Sequence, residues 1–164
     1  MTGREHEGEH TVASNRKARH DFDILETHEC GIVLTGSEVK SLRAGRASLV
    51  DCYGRIDRGE MWLEGMHVSP YSMAVGYGAH DPDRRRRLLL HASEIERWAD
   101  RVHREHLAVI PLSVYFKEGR AKVELALARG RRKEDKRQAL AERDAEMEIQ
   151  KALGRNRKGL PASP

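Results

Sequence analysis

The spacing of hydrophobic and polar positions changes period several times along the chain. In "KVELALA", residues 122–128, Val123, Leu125 and Leu127 fall on one side, and Lys122, Glu124 and Ala126 on the other. That is the period of a half-buried strand. Upstream, "LAVIPLSVYFKEGRA" predicts a strand that turns back through "KEG", with Pro111 marking an edge or a bulge. "SLVDCYGRIDRGEMWLEGMHV" reads as two strands around "DRGE", and "HECGIVLTG" and "LLLH" as two more. Helical spacing appears twice. In "SEVKSLRAG", Ser37 caps, Glu38 suits the first turn and Gly45 ends the helix. Val39 and Leu42 then face inward, Lys40 and Arg43 share another face, and Arg46 follows just past the end. In "SEIERWADRVHREH", Ser93 and Glu96 form a capping box, and Ile95, Trp98, Ala99 and Val102 line one face. "SPYSMAVGYGAHDPDRRRR" is a long irregular loop closing on Arg84–Arg87. Several antiparallel strands with one short and one longer helix predict a small β-barrel with inserted helices; an open α+β sheet is the runner-up.

Charge divides this chain of 164 residues further. Residues 1–14 carry one arginine against three glutamates and read as a disordered leader. Residues 15–130 form the predicted domain. Residues 131–164 carry ten Lys/Arg against six acids and form a basic tail. The tail holds no Gly or Pro over 131–153, so its composition favours helix, yet its apolar face is thin. Ala141, Ala145, Ile149 and Leu153 align, while Leu140 and Met147 fall opposite. Such a helix is marginal alone, so the tail is expected to be disordered free and helical on a polyanionic partner. A nearly neutral body with clustered bases suits the same kind of partner.

The chain offers little for catalysis. It has no P-loop, GxSxG or HExxH motif. Cys30 and Cys52 form no metal-spaced set and are expected to be reduced and buried. His103 and His106 lie on the polar side of a surface helix with no third ligand implied. Arg84–Arg87 reads as an anion clamp, a run that binds phosphate backbone, or a loop edge. The N-terminus lacks the apolar stretch of a signal peptide and no run reaches the length of a membrane span, which predicts a cytoplasmic protein.

"NRKARHDFDI", "GIVLTGSEVKSLRAGRASL", "VSPY", "RRLLLH", "LSVYFKEGRAKVELALARGRRKEDKR" and "ERDAEMEIQKAL" occur in the order seen in the bacterial SsrA-binding protein (small protein B) family. The chain resembles that family from about Asn15 to Leu153. The resemblance implies a closed antiparallel β-barrel of the oligonucleotide-binding type with helices. It implies binding to the tRNA-like domain of transfer-messenger RNA and delivery of that RNA to stalled ribosomes. The implied partners are the RNA, the ribosome at its decoding centre and messenger channel, and, through the RNA, elongation factor Tu and alanyl-tRNA synthetase. No cofactor, metal, membrane or enzymatic activity is implied. RNA contacts are implied at Asn15, Arg19 and His20 in "NRKARH", Glu29 in "HECG", Lys40, Arg43 and Arg46, Leu89 in "RLLLH", and Lys122. A carboxylate such as Glu29 serves RNA by accepting from base amino groups or by holding a neighbouring arginine. In the tail, Arg131, Arg132, Lys133, Asp135, Lys136 and Arg137 are the implied ribosome-binding residues, and the segment is implied to enter the empty messenger channel as a helix. Glu134 departs from the pattern, because many relatives carry an aromatic or His there that can stack on a base. Two other classes remain on residues alone: a general single-strand binder, which needs exposed stacking aromatics, and a small RNA-processing enzyme.

Overall fold

The computed structural model describes residues 9–71, 79–131 and 133–157. The chain divides into two compact units, Met1–Gly130 and Arg131–Pro164.

The first unit is mainly β with helices. Its strands are β1 (Glu9–Ser14), β2 (Phe22–Ile32), β3 (Ala47–Ser48), β4 (Tyr53–Asp57), β5 (Glu60–Glu64), β6 (His67–Val68), β7 (Arg86–Leu89), β8 (Ala108–Lys117) and β9 (Arg120–Gly130). Its helices are α1 (Arg16–Asp21), α2 (Gly36–Arg43) and α3 (Ala92–Glu105). Seven strands join in the order β1-β8-β4-β5-β7-β2-β9. Strand β9 also pairs with β8, so six of them close into a hydrogen-bonded ring with β1 attached outside it. Strands β3 and β6 form a separate pair.

The two predicted hairpins form where turn chemistry placed them. Arg58-Gly59 and Glu118-Gly119 both hold positive φ at each position, as a two-residue type I′ hairpin turn requires. Glycine takes that conformation without the steric cost borne by a residue with a Cβ.

Strand β8 has three partners on two edges. One edge pairs with β9. The other gives Val109 to Gly54 of β4 and residues 113–117 to β1. Pro111, which has no N–H to donate, stands where that edge changes partner, beside a register shift between Pro111 and Ser113. The predicted bulge is therefore present. Asn15 closes the gap: its N–H donates to Leu112 O at 2.8 Å and its side-chain amide to Pro111 O at 3.1 Å.

The main core fills the ring with Leu63, Leu88, Val114, Val123, Leu125 and Leu127, and extends to Leu42 of α2 and to Ile95 and Trp98 of α3. A smaller core lies outside the sheet, where Ala18 of α1 meets Ile110, Leu112, Ala126 and Ala128. Cys30 and Cys52 are free and buried. Burial pushes both thiols up to about 12.

Three sequence expectations change. The leader is structured from Glu9, because Val12 and Ala13 pack against the core and the backbone of β1 is paired with β8. The longer helix begins earlier, with His91 as its N-cap. The Glu94 carboxylate accepts from the His91 N–H at 3.0 Å, which leaves Ser93 and Glu96 inside the helix. The shorter helix is capped at Thr35, not Ser37, with Glu38 accepting from the Thr35 N–H at 2.9 Å.

In the second unit, α4 (Lys133–Arg157) is one helix, in keeping with its composition. Residues 140–153 are exposed throughout, Leu140, Met147, Ile149 and Leu153 among them. No helix among the described residues is long and apolar enough to cross a membrane.

Candidate nucleic-acid interface

Strand register brings together residues that the sequence scatters. Gly31 of β2 lies opposite Leu89 of β7 and Lys122 of β9, and Lys122 lies opposite Tyr115 of β8. The next outward row runs Glu29, Glu124, Ser113 and Ser14. Asn15 follows Ser14 directly and caps α1, its Oδ1 accepting from the Ala18 N–H at 3.2 Å. Four of the nine residues carried from the family motif, Asn15, Glu29, Leu89 and Lys122, therefore converge on one outer face of β7, β2, β9 and β8. Arg19 and His20 belong to α1, which lies against the same sheet; Arg19 is exposed and His20 is 3.0 Å from Asp21.

Leu89 is 51% exposed, an apolar side chain presented to solvent from a β-sheet. Beside it Gly31 has no side chain, and a Cβ there would meet Leu89 Cδ1 at 3.3 Å. The gap belongs to a pocket of ≈ 370 Å³ lined also by His28, Glu29, His91, Glu94 and Lys122.

Glu29 is more than a surface strand residue. Its carboxylate accepts from the Tyr115 hydroxyl and lies 3.5 Å from the Lys117 ammonium. The Tyr115 hydrogen bond lowers its pKa, and Lys117 and Lys122 add to this against a smaller opposing effect of burial. Glu29 thus stays anionic, holding a tyrosine and a lysine where the sequence suggested an arginine. Tyr115 and Lys117 went unnamed in the sequence reading. The two-residue "EG" turn would have placed them, since it pairs Lys117 with Arg120 and Tyr115 with Lys122.

Helix α2 carries Lys40 and Arg43, and Arg46 follows just past its end. Lys40, Arg43 and Arg46 are all exposed. Lys40 lies 5.3 Å from the Tyr71 ring centre and Arg43 4.7 Å from that of Phe116. Leu42, fully buried, holds the opposite side of the helix in the core.

Arg84–Arg87 does not act as one unit. Arg84 and Arg86 turn inward and both bind the Glu38 carboxylate. Arg85 turns outward, 4.1 Å from the Trp62 ring centre, and Arg87 pairs with Glu60 at 3.4 Å. Alternation within β7 sends Arg86 inward and Arg87 outward, and Arg84, ahead of the strand, reaches back to Glu38, so the anion-clamp and backbone-binding readings are replaced by a structural one for Arg84 and Arg86.

Among the tail residues, Arg131 is half-buried. Arg132 lies outside the described residues, and of Lys133, Glu134, Asp135, Lys136 and Arg137 only the helical backbone is described. His103 and His106 are exposed, and among the described residues no group of three or more His, Cys, Asp or Glu is placed to hold a metal ion.

A ring of strands with a mixed polar and apolar outer face, a basic helix and a separate charged helix defines a small β protein of the nucleic-acid-binding class. A family model described as SmpB protein matches residues 12–155. The chain belongs to the SmpB family. It is 53% identical over 153 residues to the SsrA-binding protein of Saccharopolyspora erythraea, covering 93% of this chain and 96% of that one. It is 57% identical over 152 residues to that of Acidothermus cellulolyticus, covering 93% and 95%. The SsrA-binding protein of Desulforudis audaxviator is 58% identical over 146 residues, covering 89% and 95%. A solved structure described as "tmRNA-SmpB: a journey to the center of the bacterial ribosome" matches with a TM-score of 0.61 and 47% identity, over 77% of this chain and 92% of the other.

Proposed function

We propose that this protein binds the tRNA-like domain of transfer-messenger RNA and delivers it to stalled ribosomes for trans-translation in the cytoplasm. It acts by binding, without a catalytic step of its own. The observation that carries the reading is the convergence of Asn15, Glu29, Leu89 and Lys122, from four separate segments, on one outer face of the ring. The relatives named SsrA-binding protein and the ribosome-associated neighbour support the choice of RNA and of ribosome. The closed pairing of β8-β4-β5-β7-β2-β9 supports a barrel of the oligonucleotide-binding type, with its outer face turned to RNA. Structured RNA is read largely by shape and backbone, which suits a face that mixes Leu89, lysines and a fixed carboxylate.

The tail has a separate task in this reading. It enters the empty messenger channel as a helix, and its exposed apolar side chains together with the like-charged i,i+4 pairs Glu142/Glu146 and Asp144/Glu148 support weak helicity away from that site. Arg131, Arg132, Lys133, Asp135, Lys136 and Arg137 are its ribosome-facing residues.

Competition gel shifts test the first claim. Transfer-messenger RNA should outcompete both tRNA and unstructured RNA, and equal affinity for all three would sink it. Deleting 131–164 should spare RNA binding and abolish rescue. A 131–164 peptide should be mostly coil by circular dichroism in buffer, and a stable helix there would refute folding on the partner.

A further inference from the structure

Glu38 is an unusual residue to find wholly inside a protein of this size. Both it and Arg86 are 0% exposed. Buried ion pairs are costly to desolvate, and apolar residues of similar volume often stabilise a protein as well. This one joins several segments. Glu38 accepts from the Thr35 N–H at 2.9 Å, from both Arg84 Nε at 3.1 Å and its terminal nitrogen, and from Arg86 Nε. Arg86 also donates to Met66 O at 2.7 Å and to Pro82 O at 3.1 Å, and Arg84 to Val33 O at 3.3 Å. Through Glu38 and its two arginines, the segment after β2, the start of α2, the approach to β6 and the approach to β7 are joined.

Two more contacts fasten the same helix, one of them from the buried Ser41. Ser41 Oγ donates to Ser69 O at 2.7 Å. Ser37 Oγ is 2.8 Å from His80 Nδ1, whose other nitrogen is 3.0 Å from Val68 O. Helix α2 has only eight residues, too short to hold its orientation by its own hydrogen bonds. Its basic residues Lys40 and Arg43, with Arg46 just past its end, can meet neighbouring phosphates together only if the whole helix is fixed.

We propose that Glu38, held by Arg84 and Arg86, is a positioning residue for RNA binding, which fixes α2 so that Lys40, Arg43 and Arg46 act as one phosphate-binding face. The inference rests on the reading that α2 faces RNA. Its sign separates it from simple electrostatics. Removing an acid makes the protein more basic and by charge alone should tighten binding to RNA. Loss of positioning should weaken it.

The test uses the full chain and transfer-messenger RNA, with affinity measured across a salt series. K40A/R43A/R46A should bind at least about tenfold more weakly, with the salt slope reduced by about 1 for each cation lost. Glu38→Gln should weaken binding and reduce the slope in the same direction, and should add little when combined with the triple variant. Glu38→Asp, which keeps the charge, should restore part of the slope. E38Q/R86M removes both buried charges, is expected to fold, and should show the same reduced slope as Glu38→Gln. Folded Glu38→Gln or E38Q/R86M with the parental slope and affinity would overturn the proposal while leaving the α2 reading intact. A triple variant that binds normally would overturn both.

Discussion

Gly54 offers a demanding test of how the ring closes. It lies on β4 opposite Leu63 of β5 on one side and Val109 of β8 on the other. A Cβ at this position would stand 2.5 Å from Val109 Cγ1 and 2.9 Å from Val109 Cβ. Carbon atoms prefer about 3.5–4.0 Å, so the overlap is about 1 Å. Rotating the valine moves Cγ1 but not Cβ, which is fixed to the backbone of a paired strand. Only separation of β4 from β8 relieves it. The cost of Gly54→Ala should therefore lie at the upper end of the overpacking range, about 3 kcal/mol. For a folded unit of this size that is a fall of about 10 °C in Tm. Urea denaturation followed by tryptophan fluorescence measures it directly. Val109→Ala removes the nearer atom, so G54A/V109A should be less destabilised than the sum of its single changes by at least about 1 kcal/mol. A Gly54→Ala protein within about 0.5 kcal/mol of the parent, or strict additivity in the pair, would refute the closure argument.

Neighbouring arginines should behave oppositely. Arg86→Ala leaves the buried Glu38 with a lost partner and should cost about 3–5 kcal/mol, whereas Arg87→Ala removes an exposed pair worth at most about 1 kcal/mol; similar losses in denaturant melts would contradict the inward–outward division. Tyr115→Phe removes the main donor to Glu29, so the Glu29 pKa should rise toward its ordinary 4.5, read by carboxyl NMR titration, and an unmoved value would show that the hydroxyl does not hold it. Burial raises the Glu38 pKa, but Arg84, the Thr35 N–H and Arg86 together outweigh it and leave the value lowered. A lowered carboxylate contributes stability above its unfolded value, here 4.5, and that stability is lost as pH falls through the folded value. The parent should therefore lose stability below about pH 4.5 more steeply than Glu38→Gln, and parallel pH profiles would count against it.

How much of this could be read from residues alone depended on the range of the forces involved. The hairpins were legible because "RG" and "EG" turns and alternating strands act within a few residues. Strand β1 was not, because Val12 and Ala13 gain their partners about 100 positions later, and nothing local marks the pairing. Helix α1 escaped notice for a similar reason: six residues carry no period, and their cap, Asn15, is itself anchored on β8. The arginine run misled because four like charges suggest one surface, while β7 sends Arg86 and Arg87 in opposite directions and Arg84, ahead of it, turns back to Glu38. On the candidate face, Glu29, Leu89 and Lys122 were found through motif resemblance, but their meeting point depends on register across three strands. Tyr115 was within reach, two positions before the predicted turn.

The divided edge of β8 bears on how the N-terminus should be handled in the laboratory. Strand β1 covers residues 113–117, a stretch containing Val114, Tyr115 and Phe116. A truncation that starts the chain at Asn15 would look harmless, since the motifs begin there. It would also leave those backbone groups open along a hydrophobic strand, a template to which a second molecule could add its own edge. The short first strand thus shields that edge, and self-association on its removal is the expected failure of a shortened protein.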